Sequence, residues 1–441
     1  MKKLISCLIL SALLVSAVTV FGSCANNKDE LYYLNFKPEV ADVYNEIARS
    51  YEKETGKKLR VVTAASGTYE QTLKSEIGKK DPPVLFQING PKGYASWKDY
   101  CRDLSDSEIY NHLTDKSLAI KDGDGVYGIP YVVEGYGIIY NKALTDKYFA
   151  LTNRQNTVNS MDEIKSFTAL KTVVEDMTAH KADIGISGVF ASTSLKSGED
   201  WRWQTHLANI PVHYEYQDKN ANLTSDDVKT IDFTYASQYK QIFDLYINNS
   251  CTNKKLLGSK QVTDSMAEFS LGQCAMVQNG TWAWSQIKDM TGNTVREEDI
   301  HFLPIYMGIP NEEKMGLCVG TENFFAVNKT VSEEKQQAAL DFLKWLYTSD
   351  TGKDYVINKL QFIAPFDTFK NGETPDDPLA KETLTFMNNE NIQNVPWDFT
   401  IFPSQTFKND FGAALLQYAQ GTKSWNDVVT IFKTRWEAEN S

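Results

Sequence analysis

The sequence predicts an α/β protein of two interwoven lobes, and three observations carry that expectation. The opening of the mature chain alternates strand and helix patterns, the signature of a parallel sheet with crossover helices. The chain has 441 residues, more than one hydrophobic core usually serves. It contains no internal repeat, low-complexity run or long linker, so two lobes must be woven through each other rather than strung in series.

The first segment reads as a leader. Lys2 and Lys3 are followed by an apolar run over residues 4–21 with small residues mixed in. That is the pattern of a secretory signal, with a single-pass anchor as the runner-up because the run is nearly long enough to span. Phe21-Gly22-Ser23-Cys24 resembles a bacterial lipobox, which would place a lipid on Cys24 and make it the mature N-terminus. Residues 1–23 are then the signal peptide and 24–30 a polar tether. The body is expected to stand outside the cell, held at the outer face of the cytoplasmic membrane.

The first strand is residues 31–36 (LYYLNF), broken by Pro38. Residues 42–55 follow as a helix, with Val43, Tyr44, Ile47, Ala48 and Tyr51 at helical spacing, closed by Gly56. A strand over 59–65, a helix over 69–78 and a strand over 84–88 complete the unit. The three strand ends converge on one edge, where the loops hold Lys37, Glu39, Ser66, Tyr69, Gln87 and Asn89. Asp122-Gly-Asp-Gly125 resembles a calcium loop, but its twelfth position is Val133 rather than Glu, so a hairpin turn is expected. Residues 127–144 read as an apolar, strand-like run with Glu134 inside it. A carboxylate there must be paired or solvated, which places it at a groove or in an ion pair. Residues 161–178 read as a helix, and residues 198–203 hold Trp201 and Trp203 beside Glu199 and Asp200. Ser332 caps an amphipathic helix over 333–347, residues 361–365 form a crossing segment, Trp397 lies in a loop, and the chain from 407 onward is helical.

The most informative stretch is EFSLGQCAMVQNGTWAWSQI, residues 268–287. A helix is expected to end at Gly272, a short strand to occupy 274–277, and Asn279-Gly280 to break it. Thr281 would then cap a helix opening with Trp282 and Trp284. Large rings at the carboxyl end of a strand stand where open α/β sheets bind ligands. Residues two apart on a helix diverge, so at least one of the two rings should be core.

Composition excludes several functions. A net charge of −12 argues against nucleic acid, whose binding rests on cations neutralising phosphates. It also argues against a charge-driven membrane contact. Of the cysteines in the mature body, Cys101, Cys251, Cys274 and Cys318, none forms a CxxC or CxxH pair, so no metal site is expected. Export permits disulfides and the four allow three pairings, though Cys274 and Cys318 lie in apolar runs and read as buried small residues. Nothing calls for a cofactor. The chain carries 22 Tyr, 22 Phe and 9 Trp, which fits either a well-filled core or a flat-faced ligand.

Three stretches carry a family resemblance: VVEGYGIIYNKAL, EFSLGQCAMVQNGTWAW, and the region from Gly320 through the Phe342 helix to Pro365. Together with the lipobox and YEKETGKKLRV they resemble the extracellular solute-binding proteins (family 1) of carbohydrate ABC importers, in particular those that bind maltodextrins. The resemblance implies a type II periplasmic-binding-protein-like fold, two α/β lobes joined by a multi-segment hinge with a ligand cleft between them. The first lobe would take residues 31–133 and 318–362, the second 134–317 and 363–441. Carried over by position, Trp282 matches a ring that stacks on a sugar and Glu134 a carboxylate that accepts from sugar hydroxyls. The strand end at Gln87 and Asn89 matches a polar clamp, although this chain has Asn89-Gly90 where the maltodextrin binders have an Asp and then an Arg. Glu39, Ser66, Tyr69, Tyr136, Trp201, Trp203, Trp284 and Trp397 complete the expected ligand-binding set. The implied role is a monomeric, non-catalytic receptor, malto-oligosaccharide-like in its ligand, that delivers an oligosaccharide to the importer's membrane subunits.

Two other readings compete. An exported glycoside hydrolase would pair Glu134 with Glu199 or Asp200. A receptor for iron, polyamine or peptide would need Tyr and His clusters that the five histidines do not supply.

Overall fold

A computed structural model describes residues 30–440 except 66, 224, 225 and 371. The expected leader, Cys24, residues 25–29 of the expected tether and Ser66 therefore lie outside the described residues, while Glu30, read as the tether's last residue, opens the first strand. The strands in chain order are β1 (Glu30–Asn35), β2 (Lys58–Thr63), β3 (Leu85–Asn89), β4 (Ile120–Asp122), β5 (Gly125–Pro130), β6 (Glu134–Asn141), β7 (Gly188–Phe190), β8 (Cys274–Gly280), β9 (Ile300–Leu303), β10 (Met315–Gly320), β11 (Asn323–Val327) and β12 (Gln393–Pro396). They form two sheets, ordered β2-β1-β3-β11-β5-β4 and β12-β10-β6-β8-β7, with β9 also on β6.

The first sheet begins as its sequence pattern requires. β1 is parallel to both β2 and β3, and the helix Ala41–Thr55 crosses over with Tyr44, Ile47 and Tyr51 buried. Gly56 ends that helix at φ 70°, a left-handed turn that costs glycine little. Nearly every residue of β1 and β3 is buried because helices cover both faces. Alternate side chains feed separate cores. Tyr33, Leu85 and Phe325 pack against Phe342 and Leu346 of the helix Glu333–Thr348, while Leu34, Phe86 and Phe324 meet Tyr69 and Leu73 on the other face. In the second sheet, Ile138 and Met276 face the larger core and Ile139 and Val277 a smaller one.

Several local expectations change. Residues 127–144 are two strands in different sheets, β5 and β6, with 131–133 passing between them. An apolar run cannot reveal that it changes sheets, because both halves are buried. Asn279 and Gly280 do not break β8; they stay in the ladder opposite Gly137 and Tyr136. The helix after them is Ala283–Lys288, with Trp282 rather than Thr281 at its N-cap position. Residues 161–178 divide into a 3-10 turn, Met161–Glu163, and a helix, Phe167–Ala179, capped by Ser166. The hairpin at Asp122–Gly125 joins β4 and β5, with Gly123 at φ 59°. Cys101, Cys251, Cys274 and Cys318 are free thiols.

The lobes are interwoven through the hinge. The chain crosses between sheets at 131–133, at 321–322 between β10 and β11, and a third time between Phe369, packed on the first-lobe core, and Leu379, in a core of the second. The hinge segments are tied to one another. Val133 N–H donates to the Ile363 carbonyl at 2.8 Å, and the Thr321 hydroxyl donates to the Val132 carbonyl. Among the described residues, no helix is long and apolar enough to cross a membrane.

Candidate functional site

The carboxyl end of β8 delivers Trp282 into a nest of rings. Tyr136, opposite Gly280 on β6, lies nearly parallel to Trp282 with centroids 6.1 Å apart. Trp201 approaches from the start of the 201–218 helical segment at 5.9 Å, and Trp397, just after β12, stands edge-on to it at 6.3 Å. His206 fills the centre, 4.7 Å from Tyr136, 4.8 Å from Trp201, 5.5 Å from Trp397 and 4.6 Å from Phe399. Four separate chain segments thus converge on one cluster. Burial, reinforced by the charges of Arg202 and Lys37, pulls the His206 imidazole down to about 3, so it is neutral at physiological pH.

The first lobe presents charge and amide to this nest. The Lys37 ammonium lies 2.6 Å from Glu134 Oε1 and 3.3 Å from Glu39 Oε1, and 5.3 Å from the centre of the Trp282 ring. Lys37 and Glu134 are both buried. Burial alone pulls the ammonium down, but Glu134 and Glu39 outweigh it and hold Lys37 above the ordinary lysine value. Burial pushes the Glu134 carboxyl up, and Lys37 opposes that push. A small cavity where the lobes meet is lined by Glu39, Glu134, Thr281, Trp282, Phe362 and Asp377.

The rest of the first-lobe edge is polar. Gln87 Oε1 accepts the Phe36 N–H at 2.6 Å, while its Nε2 has no partner among the described residues. Asn89 Nδ2 donates to Glu322 Oε1 at 2.8 Å. The lobes approach closely here. A Cβ on Gly67 would fall 2.6 Å from the Gly198 carbonyl oxygen, and one on Gly90 would fall 2.5 Å from the Thr400 Cβ. Both glycines are also in the left-handed region, so a side chain at either is strained and obstructed.

The expected site residues divide accordingly. Glu39, Glu134, Tyr136, Trp201, Trp282 and Trp397 are brought together, with Gln87 and Asn89 along the facing edge. Tyr69 is tied into the sheet, its hydroxyl accepting the Gln87 N–H at 2.7 Å. The fold does not bring Trp203 or Trp284 to the nest. Trp203 is fully buried against Phe243 and Tyr246, and Trp284 packs in the small core with Met266, Phe269 and Ile287. Two of the three acids of the hydrolase reading are engaged elsewhere. Glu134 pairs with Lys37, Glu199 Oε2 accepts the Val262 N–H at 3.0 Å, and Asp200 is buried against Gly412. That reading finds no support.

Sequence reasoning missed His206 and Phe399, and named Lys37 only as a loop residue. The available signal was spacing: His206 stands five residues after Trp201, and Phe399 two after Trp397. What the arrangement offers is ring faces on one side and hydrogen-bonding groups on the other, a grip for a molecule with flat apolar faces and a polar rim.

Comparison with known proteins agrees with this architecture. The chain matches the bacterial extracellular solute-binding protein family over residues 46–387 and belongs to that family. Among solved structures it is similar to a chitin oligosaccharide binding protein at TM-score 0.72 and 15% identity, over 94% of this chain and 99% of the other. It is also similar to the maltose-bound MalE3 of T. maritima at TM-score 0.66 and 14% identity, over 93% and 99% of the two chains. A third, the solute-binding protein RafE in complex with raffinose, matches at TM-score 0.66 and 17% identity, over 93% and 100%. At these identities the likeness establishes the shared fold, a two-lobed type II binding protein.

Proposed function

We propose that this solute-binding protein grips an oligosaccharide between its lobes and delivers it, chemically unchanged, to the membrane subunits of an ABC importer. The observation that carries the reading is the meeting of Trp201, Trp282, Trp397 and Tyr136 with the Lys37, Glu134 and Glu39 cluster. A pyranose has an apolar C–H face that suits an indole and a rim of hydroxyls that suits carboxylates, amides and an ammonium. The structural neighbours that bind chitin oligosaccharide, maltose and raffinose support the ligand class. Malto-oligosaccharides are the first candidates within it.

The lobes close on the ligand by hinge motion at the three crossings, and ligand favours closure by its added affinity for the closed form. The body acts as a monomer outside the cell, tethered by a lipid on Cys24. Replacing Cys24 with Ser should release it from the membrane fraction.

The test of the ligand reading is a thermal-shift screen of the full chain against malto-, chito- and xylo-oligosaccharides and raffinose, with short peptides and polyamines alongside. A cleft ligand raises the melting midpoint by mass action. A panel in which no oligosaccharide moves the midpoint, while a peptide or polyamine does, would defeat the reading.

A further inference from the structure

Arg202 lies beneath the ring nest and is fully buried. It opens the π-helical turn Arg202–Leu207, with its guanidinium 5.2 Å from the centre of the Trp201 ring. One nitrogen anchors it: Nη1 donates to Ser265 Oγ at 2.7 Å. Nε and Nη2 meet no hydrogen-bond partner among the described residues. Those two nitrogens form the side edge of the planar fork, the edge that takes the two oxygens of a carboxylate in parallel. Tyr136 Oη and His206 Nε2, on neighbouring members of the nest, are unpartnered too.

No carboxylate among the described residues is hydrogen-bonded to this guanidinium. Glu199 is the acid whose charge reaches it, and Glu199 is engaged by the Val262 N–H. Lys37, a second cation of the cleft, already has Glu134 and Glu39, and the charge of a third, Lys408, is met by Glu322 and Glu70. A buried cation without a paired anion is costly, and an isolated hydroxyl pair would satisfy its N–H groups but leave the charge standing. A carboxylate would satisfy both.

We propose that Arg202 is the carboxylate-reading group of the cleft, and that the ligand is an acidic oligosaccharide carrying a uronic acid unit. This rests on the oligosaccharide reading above and moves its first candidates from neutral malto-oligosaccharides to sugars that carry a uronic acid. The aromatic nest takes the ring faces, and the Nε–Nη2 edge takes the C6 carboxylate of the residue seated deepest, once the open lobes admit it.

Calorimetric titration of the full chain tests the assignment with matched pairs: trigalacturonate against its methyl ester, and glucuronic-acid-substituted xylotriose against unsubstituted xylotriose, with maltotriose as a neutral reference. The acid of at least one pair should bind at least about tenfold more tightly than its neutral partner. That preference should vanish in Arg202→Met and weaken in Arg202→Lys, which keeps the charge but lacks the fork. Equal binding within both pairs would overturn the assignment, as would a preference that survives Arg202→Met. If a variant fails to fold, the acid-to-neutral ratio in the native chain still decides. Neutral sugars that bind without any gain from a carboxylate would sink this inference and leave the oligosaccharide reading standing. A chain that binds none of these sugars, nor any of the thermal-shift panel, would sink both.

Discussion

The second lobe's side of the cleft is built mostly of rings, while the first lobe's side is charge and amide. Trp201, Trp282, Trp397, Tyr136, His206 and Phe399 all come from the second lobe and touch one another within it. Lys37, Glu39, Gln87 and Asn89 come from the first, and Lys37 finds its closest partner, Glu134, at the start of β6 in the other sheet. The ring surface is therefore a property of one lobe and should exist whether the cleft is open or closed. The polar surface is completed across the hinge. The first should set how tightly a flat ligand is held, and the second whether the lobes stay shut around it.

The largest effect within the cleft should come from breaking the cross-hinge pair. Glu134→Gln leaves the buried Lys37 ammonium with only the more distant Glu39, and removing one partner of a buried pair costs about 3–5 kcal/mol. Glu39 should hold the loss to the lower end of that range, measured by chemical denaturation. A loss below about 1 kcal/mol, the range of exposed pairs, would show that water reaches the cluster and that the cleft is not sealed by charge.

Next comes the ring surface itself. Trp282→Ala should weaken oligosaccharide binding by about 2–4 kcal/mol, the range of a central aromatic anchor, while the melting midpoint stays close to native. Trp203→Ala should do the reverse, losing about 3–5 kcal/mol of stability as a core truncation. If both variants lost binding and kept their stability, the division between nest and core would be wrong.

A smaller effect separates the groups by pH. Burial holds His206 at about 3, below its ordinary 6.5. Below pH 6.5 the unfolded chain takes up that proton and the folded chain does not, so stability is lost as pH falls from about 6.5 toward 3. Burial also raises Asp200 from 3.8 to about 6. Between those values the folded chain holds a proton the unfolded chain has released, so this contribution is lost as pH rises from 3.8 to about 6. The two slopes oppose each other where they overlap. In His206→Gln, acidification through that window should cost less stability than in the native chain. In Asp200→Asn it should cost more. Denaturation curves at pH 4, 5 and 6 would check this, and parallel shifts in both variants would contradict it.

The smallest effect belongs to the polar edge. Asn89→Ala removes the donor to Glu322 and should cost about 1 kcal/mol or less of stability. A ligand-dependent loss larger than that of Trp282→Ala would invert the comparison, making the first lobe's edge the principal grip.

Much of this was legible in the chain. The parallel unit at the start was, because Tyr44, Ile47 and Tyr51 repeat at helical spacing between two apolar strands and Gly56 stops the helix. The importance of residues 268–287 was legible too, since rings following a strand mark a sheet's carboxyl edge. The rule that two rings two residues apart must diverge also held: Trp282 faces the nest and Trp284 the small core. The hinge crossing inside 127–144 was not legible in the apolar pattern, because Ile129 and Ile138 are equally buried in different sheets; only the family resemblance put a lobe boundary there, at 133/134. Nor was the fate of Trp203. Beside Trp201 in sequence, it points to the opposite side of the same helical turn, and only the position of Phe243 and Tyr246 makes that side core.

The sequence by itself determined the class of the fold, the alternation of elements, and which residue types are on hand for a ligand, because these follow from short-range periodicity and from the chemistry each side chain carries. The tertiary structure alone decided which of those residues meet. Lys37 and Glu134 are 97 positions apart, and His213 is bound to Asp398 across 185. Pairings at such separation are set by how two sheets share three crossings, and no local pattern encodes them. The same holds for Arg202: its residue type was visible from the start, but only the tertiary structure sets Ser265 on one side of the fork and leaves Nε and Nη2 without a hydrogen-bond partner among the described residues.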